Sequence, residues 1–168
     1  MAAKNVLKNL NLFIEGRGHA GQLVDFTPPK LTLKLDEFRG GGMDAPVELD
    51  MGMDKLTATG TLKGFDPSVL ALWGVVNGQS TRVVARGALE DFDGTVRPVV
   101  YTMAGRFTEM DHGTHKPGET SELKFSVSCV YYRYEHNGQT ITEIDVQNMT
   151  RVINGVDQLK AKRQALGL

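Results

Sequence analysis

Apolar and polar residues alternate along most of the chain, a pattern typical of strands that bury one face. The alternation predicts strands over Asn11–Gly16, Gly21–Phe26, Lys30–Phe38, Val47–Asp54, Lys55–Gly64, Thr81–Glu90, Val96–Met110, Glu119–Glu135 and Gln139–Val146. The two longest would each reach about 50 Å at about 3.3 Å per residue, well beyond the usual strand. A chain of this size has difficulty covering both ends of such strands by itself.

Two segments have helical period instead. Phe65–Val76 has Asp66 as a candidate N-cap and Pro67 at the first helical position, with an apolar stripe formed by Val69, Leu70, Leu72 and Trp73. Gly155–Leu168 closes the chain, with Gly167 as a stop signal and one side formed by Val156, Leu159 and Leu166. These elements predict a single, mainly β (α+β) domain over residues 1–168: a sandwich or barrel with one packed helix and a C-terminal helix.

Two pairs of strands are predicted to form hairpins, Lys30–Phe38 with Val47–Asp54 and Val96–Met110 with Glu119–Glu135. Strand parity gives them an apolar face of Leu31, Leu33, Leu35, Leu49, Met51, Val99, Tyr101, Met103, Phe107, Leu123, Phe125 and Val127. It gives a polar face of Lys30, Thr32, Lys34, Asp36, Glu48, Asp50, Asp54, Thr102, Arg106, Glu122, Lys124, Ser126 and Ser128. The pattern indicates an antiparallel sheet that is solvated on one side, although one bulge would exchange the faces.

The first hairpin is closed by a glycine-rich segment, EFRGGGMDAP (Glu37–Pro46). Three consecutive glycines exceed what a tight turn requires and make the segment flexible. Two interpretations stay open: an arm that orders against another molecule, or a mobile surface loop without a role.

Charge and composition exclude some functions. The 168 residues include 19 basic and 20 acidic side chains, for a net charge of -1. Without a basic excess, the chain is not expected to hold nucleic acid by charge neutralisation. The N-terminus lacks a signal-peptide pattern, and no apolar run approaches the roughly 20 residues of a membrane span. We therefore expect cytoplasmic synthesis and no membrane insertion.

Candidate catalytic and binding chemistry is sparse. Gly16–Gly21 matches G-x-G-x-x-G, but that fingerprint needs a helix to follow, and Pro28 and Pro29 come next. A hairpin turn explains the same glycines. Glu109, Asp111, His112 and His115 share one loop without the fixed ligand spacing of a metal site. Cys129 has the strand parity of Phe125 and Val127 and is expected to be buried. We therefore predict no cofactor, no metal and no enzymatic activity.

Five stretches, in this order and spacing, resemble the major tail tube proteins of contractile phage tails and R-type bacteriocins. They are NLFIEG (11–16), PPKLTLKLDEFRGGGMDAPVELDMGMD (28–54), GFDPSVLALWG (64–74), GETSELKFSVSCVYYRYEHNGQTITEIDVQN (118–148) and INGVDQLKAKRQALGL (153–168). Together they cover essentially the whole chain, and the closing stretch is the most distinctive of them.

The resemblance implies a structural subunit that forms hexameric rings, stacked into a tube inside a contractile sheath. In this family two hairpins from each subunit join those of its neighbours into one barrel, to which we assign the two hairpins above. Each of six subunits would contribute four strands to such a barrel. With these strands about 4.8 Å apart and tilted by about 40°, the barrel has a backbone diameter of about 48 Å, wide enough for a DNA duplex.

The resemblance also implies roles for particular residues. The ring interface would include Arg39, Gly40, Gly41, Gly42, Met43, Asp44 and Pro46. The lumen wall would include Lys34, Asp36, Glu48, Asp50, Asp54, Thr102, Arg106, Glu122, Lys124, Ser126 and Ser128. A mixed, faintly acidic wall would let DNA slide without specific binding. The chain ends, Met1–Leu10 and Val156–Leu168, are further interface candidates.

The implied partners are other copies of the chain and the tail sheath, tape-measure, baseplate and terminator proteins. The implied location is the virion tail, after assembly in the cytoplasm of the host bacterium. Three alternatives stay open: a ring protein of type VI secretion, a monomeric β-barrel that binds a small ligand, and a metalloenzyme using His112 and His115. The sequence does not separate a DNA-delivering phage tail from a headless bacteriocin.

Overall fold

The computed structural model of the chain describes residues 3–168. Its strands are β1 (Val6–Ile14), β2 (Arg17–Gly18), β3 (Leu23–Thr27), β4 (Leu33–Phe38), β5 (Val47–Met53), β6 (Leu56–Lys63), β7 (Thr81–Glu90), β8 (Val96–Asp111), β9 (Glu122–His136), β10 (Gln139–Asp145), β11 (Thr150–Ile153) and β12 (Val156–Asp157). Its helices are α1 (Pro67–Leu70) and α2 (Lys160–Leu166). Over the described residues neither helix has the length and apolar character needed to cross a membrane. The mainly β fold with two helices that the alternation predicts is confirmed.

One large antiparallel sheet forms the body, in the order β12-β11-β10-β9-β8-β7-β1-β2. One edge of β9 pairs with β8. Its other edge is shared, because the first part pairs with β6 and the last part pairs with β10. Strand β3 lies on the free side of β6. The sheet therefore divides into two branches at β9, with the core between them.

The core is formed by the inward side chains of both branches together with α1. Its largest buried members include Leu12, Leu62, Met103, Phe107, Leu123, Phe125 and Val127. The rings of Phe107 and Phe125 lie 5.4 Å apart in a tilted arrangement that aromatic pairs favour. Val69 of α1 is completely buried against the sheet. The apolar face predicted for β8 and β9 is therefore the core face.

Helix α1 is shorter than the predicted Phe65–Val76. The Asp66 cap is confirmed, since its Oδ1 accepts the Ser68 N–H at 2.8 Å. The helix ends at Leu70. Trp73 forms a β-bridge with Phe107, and the bridge draws the chain out of helical geometry. Trp73, a member of the predicted apolar stripe, is 58% exposed.

Helix α2 begins at Lys160, later than the sequence predicts. Val156 and Asp157 instead pair with β11 as the short strand β12. The predicted stop is confirmed, since Gly167 takes the left-handed conformation with φ of 74°.

Strands β4 and β5 form a separate two-stranded sheet. An ion pair connects it to the body: Arg151 Nη2 of β11 lies 2.5 Å from Asp50 Oδ2 of β5. The hydrogen bond from Arg151 and a second one from the Gly52 N–H lower the pKa of Asp50. The pair borders an apolar cavity of about 300 Å³. This hairpin is therefore attached to the body at its base.

We expect Gly105→Ala to destabilise the subunit by about 1–3 kcal/mol, because added bulk in a packed core forces the backbone to shift. A Cβ at position 105 would lie 2.1 Å from the Ser128 carbonyl oxygen on the neighbouring strand. Gly41→Ala is the matched control, since its Cβ would meet open space. Thermal denaturation of both variants is the measurement, and equal melting temperatures would contradict the close approach.

We expect Asp50→Asn to loosen the β4–β5 hairpin at pH 7. The folded-state pKa of Asp50 lies below its unfolded value of about 3.9, so the attachment is complete above that pH. It is lost as the pH falls through the lower, folded-state pKa. Hydrogen-exchange protection of the hairpin, relative to β8 and β9, should stay constant from pH 7 down to about pH 4 and fall only below that pH, in the natural chain only. Glu37→Gln is the control on the same hairpin. Protection of Asp50→Asn equal to that of the natural chain at pH 7 would refute the attachment.

Candidate assembly surfaces

The β4–β5 hairpin exposes large apolar side chains. Those exposed by 44% to 59% are Leu33, Leu35, Phe38, Val47, Leu49 and Met51. An isolated two-stranded hairpin is marginally stable in water, and single chains rarely leave so much apolar surface together. The hairpin therefore has the character of a surface that another molecule covers.

The predicted separation of the hairpin into an apolar and a polar face is wrong. Residues directly opposite each other in an antiparallel pair point to the same side. Asp36 lies opposite Leu49 and Leu35 lies opposite Asp50, so each face mixes apolar and charged side chains. The cause is the closing pair, Phe38 with Val47, which matches even-numbered residues of β4 with odd-numbered residues of β5. Exposed apolar side chains consequently lie on both faces of the hairpin.

The positions of the predicted lumen residues on this hairpin follow from that register. Lys34 and Asp36 share one face, and Glu48 shares the other face with Asp50. The second face is turned toward the body by the pairing of Asp50 with Arg151. Asp54, just beyond β5, is exposed, and its N–H donates to the Thr32 carbonyl.

The glycine-rich loop is closed by bonds among its own residues. Met43 N–H donates to the Gly40 carbonyl, and Arg39 Nε donates to the Met43 carbonyl, both at 3.2 Å. Gly42 has φ of 90°, which other residues rarely adopt. Gly40 and Gly41 have no such backbone requirement, and a Cβ would fit at both. Asp44 and Pro46 are exposed. The single chain thus accounts for one of the three glycines.

The polar face predicted for β8 and β9 is present in the half of this hairpin that is nearest to the loop connecting the two strands. Arg106 lies opposite Ser128 on this face, which continues through Ser126, Lys124 and Glu122. A bulge between Phe107 and Glu109 adds Glu109, opposite Ser126, and Asp111, opposite Lys124. Strand parity alone does not place these two acids on the polar face. The sequence does indicate this bulge, because the apolar residues Phe107 and Met110 are three positions apart where strict alternation needs an even spacing.

Thr102 does not belong to this exposed face, contrary to the prediction. Its side chain is only 5% exposed in the chain itself. It lies between Val84 of β7 and Arg133 of β9, its direct cross-strand neighbours. Because both neighbours are larger, they shield the threonine from solvent.

Both ends of the described chain are attached to the body. Asn5 N–H donates to Asp91 Oδ1 at 2.7 Å, and this bond and the Arg97 guanidinium lower the pKa of Asp91. At the other end, Arg163 Nη2 of α2 lies 2.6 Å from Asp157 Oδ2. Leu168 is 78% exposed. Met1 and Ala2, part of the predicted N-terminal interface segment, lie outside the described residues.

The side chains considered for catalysis or binding are placed as follows. Cys129 is buried, and burial raises the pKa of its thiol to about 11, so it is not a nucleophile at neutral pH. Strand β3 follows the Gly16–Gly21 turn, where a nucleotide fingerprint needs a helix. His112 and His115 each lie 5.2 Å from the Phe65 ring. Within residues 3–168, no group of three or more His, Cys, Asp or Glu side chains is arranged to hold a metal.

Comparison with known proteins gives a consistent family. The family model described as phage tail tube protein FII matches residues 4–167. The chain is 38% identical to the tail tube protein of Escherichia phage P2 over 172 aligned positions, which span both chains in full. It is 28% identical to the major tail tube protein of Serratia phage KSP20 over 150 positions, 88% of this chain and 86% of that relative.

A more distant likeness is to a chain in the cryo-EM structure of the anti-feeding prophage baseplate, 6-fold symmetrised. It covers 75% of this chain and 90% of that chain at 12% identity, with a TM-score of 0.48, a level that carries no functional information. The resemblance drawn from the sequence stretches is confirmed by the family match instead. With nearly every residue inside that match and 38% identity over its full length to a tail tube protein, this chain belongs to the phage tail tube protein FII family.

Proposed function

We propose that this chain is the structural subunit of the inner tube of a contractile phage tail or a phage-tail-like particle. Copies form hexameric rings, and the rings stack into a tube whose lumen conducts DNA or other cargo into a host cell. The observation that carries the proposal is the β4–β5 hairpin, which is attached at its base and exposes apolar side chains on both faces. A subunit of a closed assembly gains cover for such a hairpin from its neighbours.

The polar face of β8 and β9 is the proposed lumen wall. It carries Arg106 and Lys124 against Glu109, Asp111 and Glu122, with Ser126 and Ser128 between them. Two positive charges against three negative charges leave no basic surface to hold phosphates, so a duplex passes without being bound. From the β4–β5 hairpin, Lys34 and Asp36 are the candidates for this wall.

The glycine-rich loop is the proposed contact between subunits. Gly40 and Gly41 fit the single chain without needing glycine, so a neighbour that approaches closely would explain them. Met43 supplies an apolar anchor, with Arg39, Asp44 and Pro46 beside it. In this setting the further partners are the sheath, tape-measure, baseplate and terminator proteins. Assembly takes place in the host cytoplasm.

A monomeric ligand-binding barrel is the competing function. The apolar cavity beside Asp50 and Arg151 would be its site. It requires a compact particle of 18.4 kDa at all concentrations. The family match and the apolar hairpin both favour the tube.

Purified protein should form rings or tubes in light scattering and negative-stain microscopy, and Met43→Asp should abolish them. A buried apolar anchor cannot be replaced by a charge without a large loss of affinity. Deleting Gly40 and Gly41 should have the same effect, whereas Met43→Leu should assemble normally. Circular dichroism should show all variants folded. Tubes of ordinary length from Met43→Asp would contradict the role of the loop, and a monomer from the natural chain would contradict the tube.

Ser126→Cys tests the lumen assignment, because the natural Cys129 is buried and gives little background labelling. Free subunits should react with both a small maleimide and a maleimide attached to a large polymer. Assembled tubes should react with the small reagent and exclude the polymer, which is wider than the barrel of about 48 Å. Equal reaction of the polymer with tubes and free subunits would place this face on the outside.

A further inference from the structure

Two exposed apolar patches lie near opposite ends of strands β7 and β8, away from the loop and the hairpin. The first, here called the turn patch, consists of Val6, Phe92 and Val96. Phe92, in the turn between β7 and β8, is 82% exposed, and Val96 is 59% exposed. The second, here called the loop patch, consists of Trp73 and Val76, which are 58% and 69% exposed. Exposed patches of this kind mark contact surfaces.

The turn patch is held in place by the chain around it. Val6 of β1 and Val96 of β8 both lie opposite Glu90 of β7, so the two valines point to the same side of the sheet. Phe92 N–H donates to the Ala3 carbonyl at 2.9 Å, which fixes the turn to the N-terminal segment. The patch therefore needs little ordering when a partner binds.

The loop patch is also held in place by the chain around it. Trp73 Nε1 donates to the Thr108 carbonyl at 3.3 Å, and the backbone of Trp73 bridges to Phe107. These contacts hold the exposed indole ring of Trp73 in one position. Rigid tryptophans at surfaces are frequent centres of binding energy.

The two patches fit one another in charge. Asp93 follows Phe92 directly and is exposed, with its carboxylate accepting the Thr95 N–H. Beside Val76, Asn77 accepts a hydrogen bond from the exposed Arg106 guanidinium. The turn patch thus has a net acidic border, with Glu90, Asp91 and Asp93 against Lys4 and Arg97, and the base Arg106 borders the loop patch. Opposite charges around two apolar centres favour contact between the patches over contact of either with itself.

A single chain cannot bring the patches together. Strand β7 has 10 residues and separates them by about 33 Å. Contact therefore requires a second copy, oriented head to tail, and a head-to-tail contact can repeat without limit along an axis. In the proposed barrel, β8 runs at about 40° to the tube axis, so its ends point toward the two openings of the ring.

We propose that the turn patch of one subunit docks on the loop patch of a second copy in the next ring, and that this contact joins stacked rings. The proposal rests on the proposed tube. The occupant of each patch is another copy of this chain, not a different tail protein.

Cysteine pairs test the contact directly. Chains with Phe92→Cys and chains with Val76→Cys, mixed and assembled, should form disulfide-linked dimers under mild oxidation with copper phenanthroline. Either variant assembled alone should give at least ten-fold fewer dimers, because each patch would then lack its cysteine partner. Dimers from Phe92→Cys alone would show a symmetric contact and overturn the proposal. Tubes that form from the mixture without linked dimers would also overturn it, while leaving the proposed function intact.

A second variant measures the energetic importance of the contact. Phe92→Asp should reduce the mass of sedimenting tubes at least ten-fold and leave single rings, while Phe92→Leu should behave as the natural chain. Because Phe92 is exposed, both variants are expected to fold, and circular dichroism checks that they do. Tubes of normal yield from Phe92→Asp would overturn the proposal, and the absence of any ring or tube from the natural chain would remove the proposed function as well.

Discussion

Strand β9 hydrogen-bonds to β8 along most of its length, while its other edge is divided between β6 and β10. Its inward side chains, among them Leu123, Phe125 and Val127, are at the centre of the core. Its outward side chains form much of the polar face. A shift of β9 by one residue would exchange these two sets, so the core and the polar surface depend on the same register. The close approach of β8 at Gly105 opposes such a shift.

The β4–β5 hairpin connects the folding of the subunit with its proposed assembly. Its apolar side chains lie on both faces, so the body of the same subunit can cover at most one of them. The ion pair between Asp50 and Arg151 fixes one end of the hairpin, but surface pairs of this kind contribute little energy. In the proposed tube the remaining cover comes from neighbours, and stability then depends on subunit concentration.

The sequence predicts most of this fold because alternation is a direct consequence of burial on one side. β7 begins and ends as predicted, and the caps at Asp66 and Gly167 follow from local geometry. The errors occur where tertiary contacts override local preference. Trp73 leaves the helix to bridge Phe107, and Thr102 is shielded by larger cross-strand neighbours. The faces of β4 and β5 depend on which residues close the loop, which parity alone does not determine.

The chain has one cysteine, and its thiol is buried with a pKa raised to about 11. The natural chain therefore offers no surface thiol that could form a disulfide between copies. The proposed tube therefore holds together without disulfides between its subunits. Such a particle can pass from the reducing interior of a cell to an oxidising medium without forming or losing disulfides. It should also come apart in denaturant without a thiol reagent.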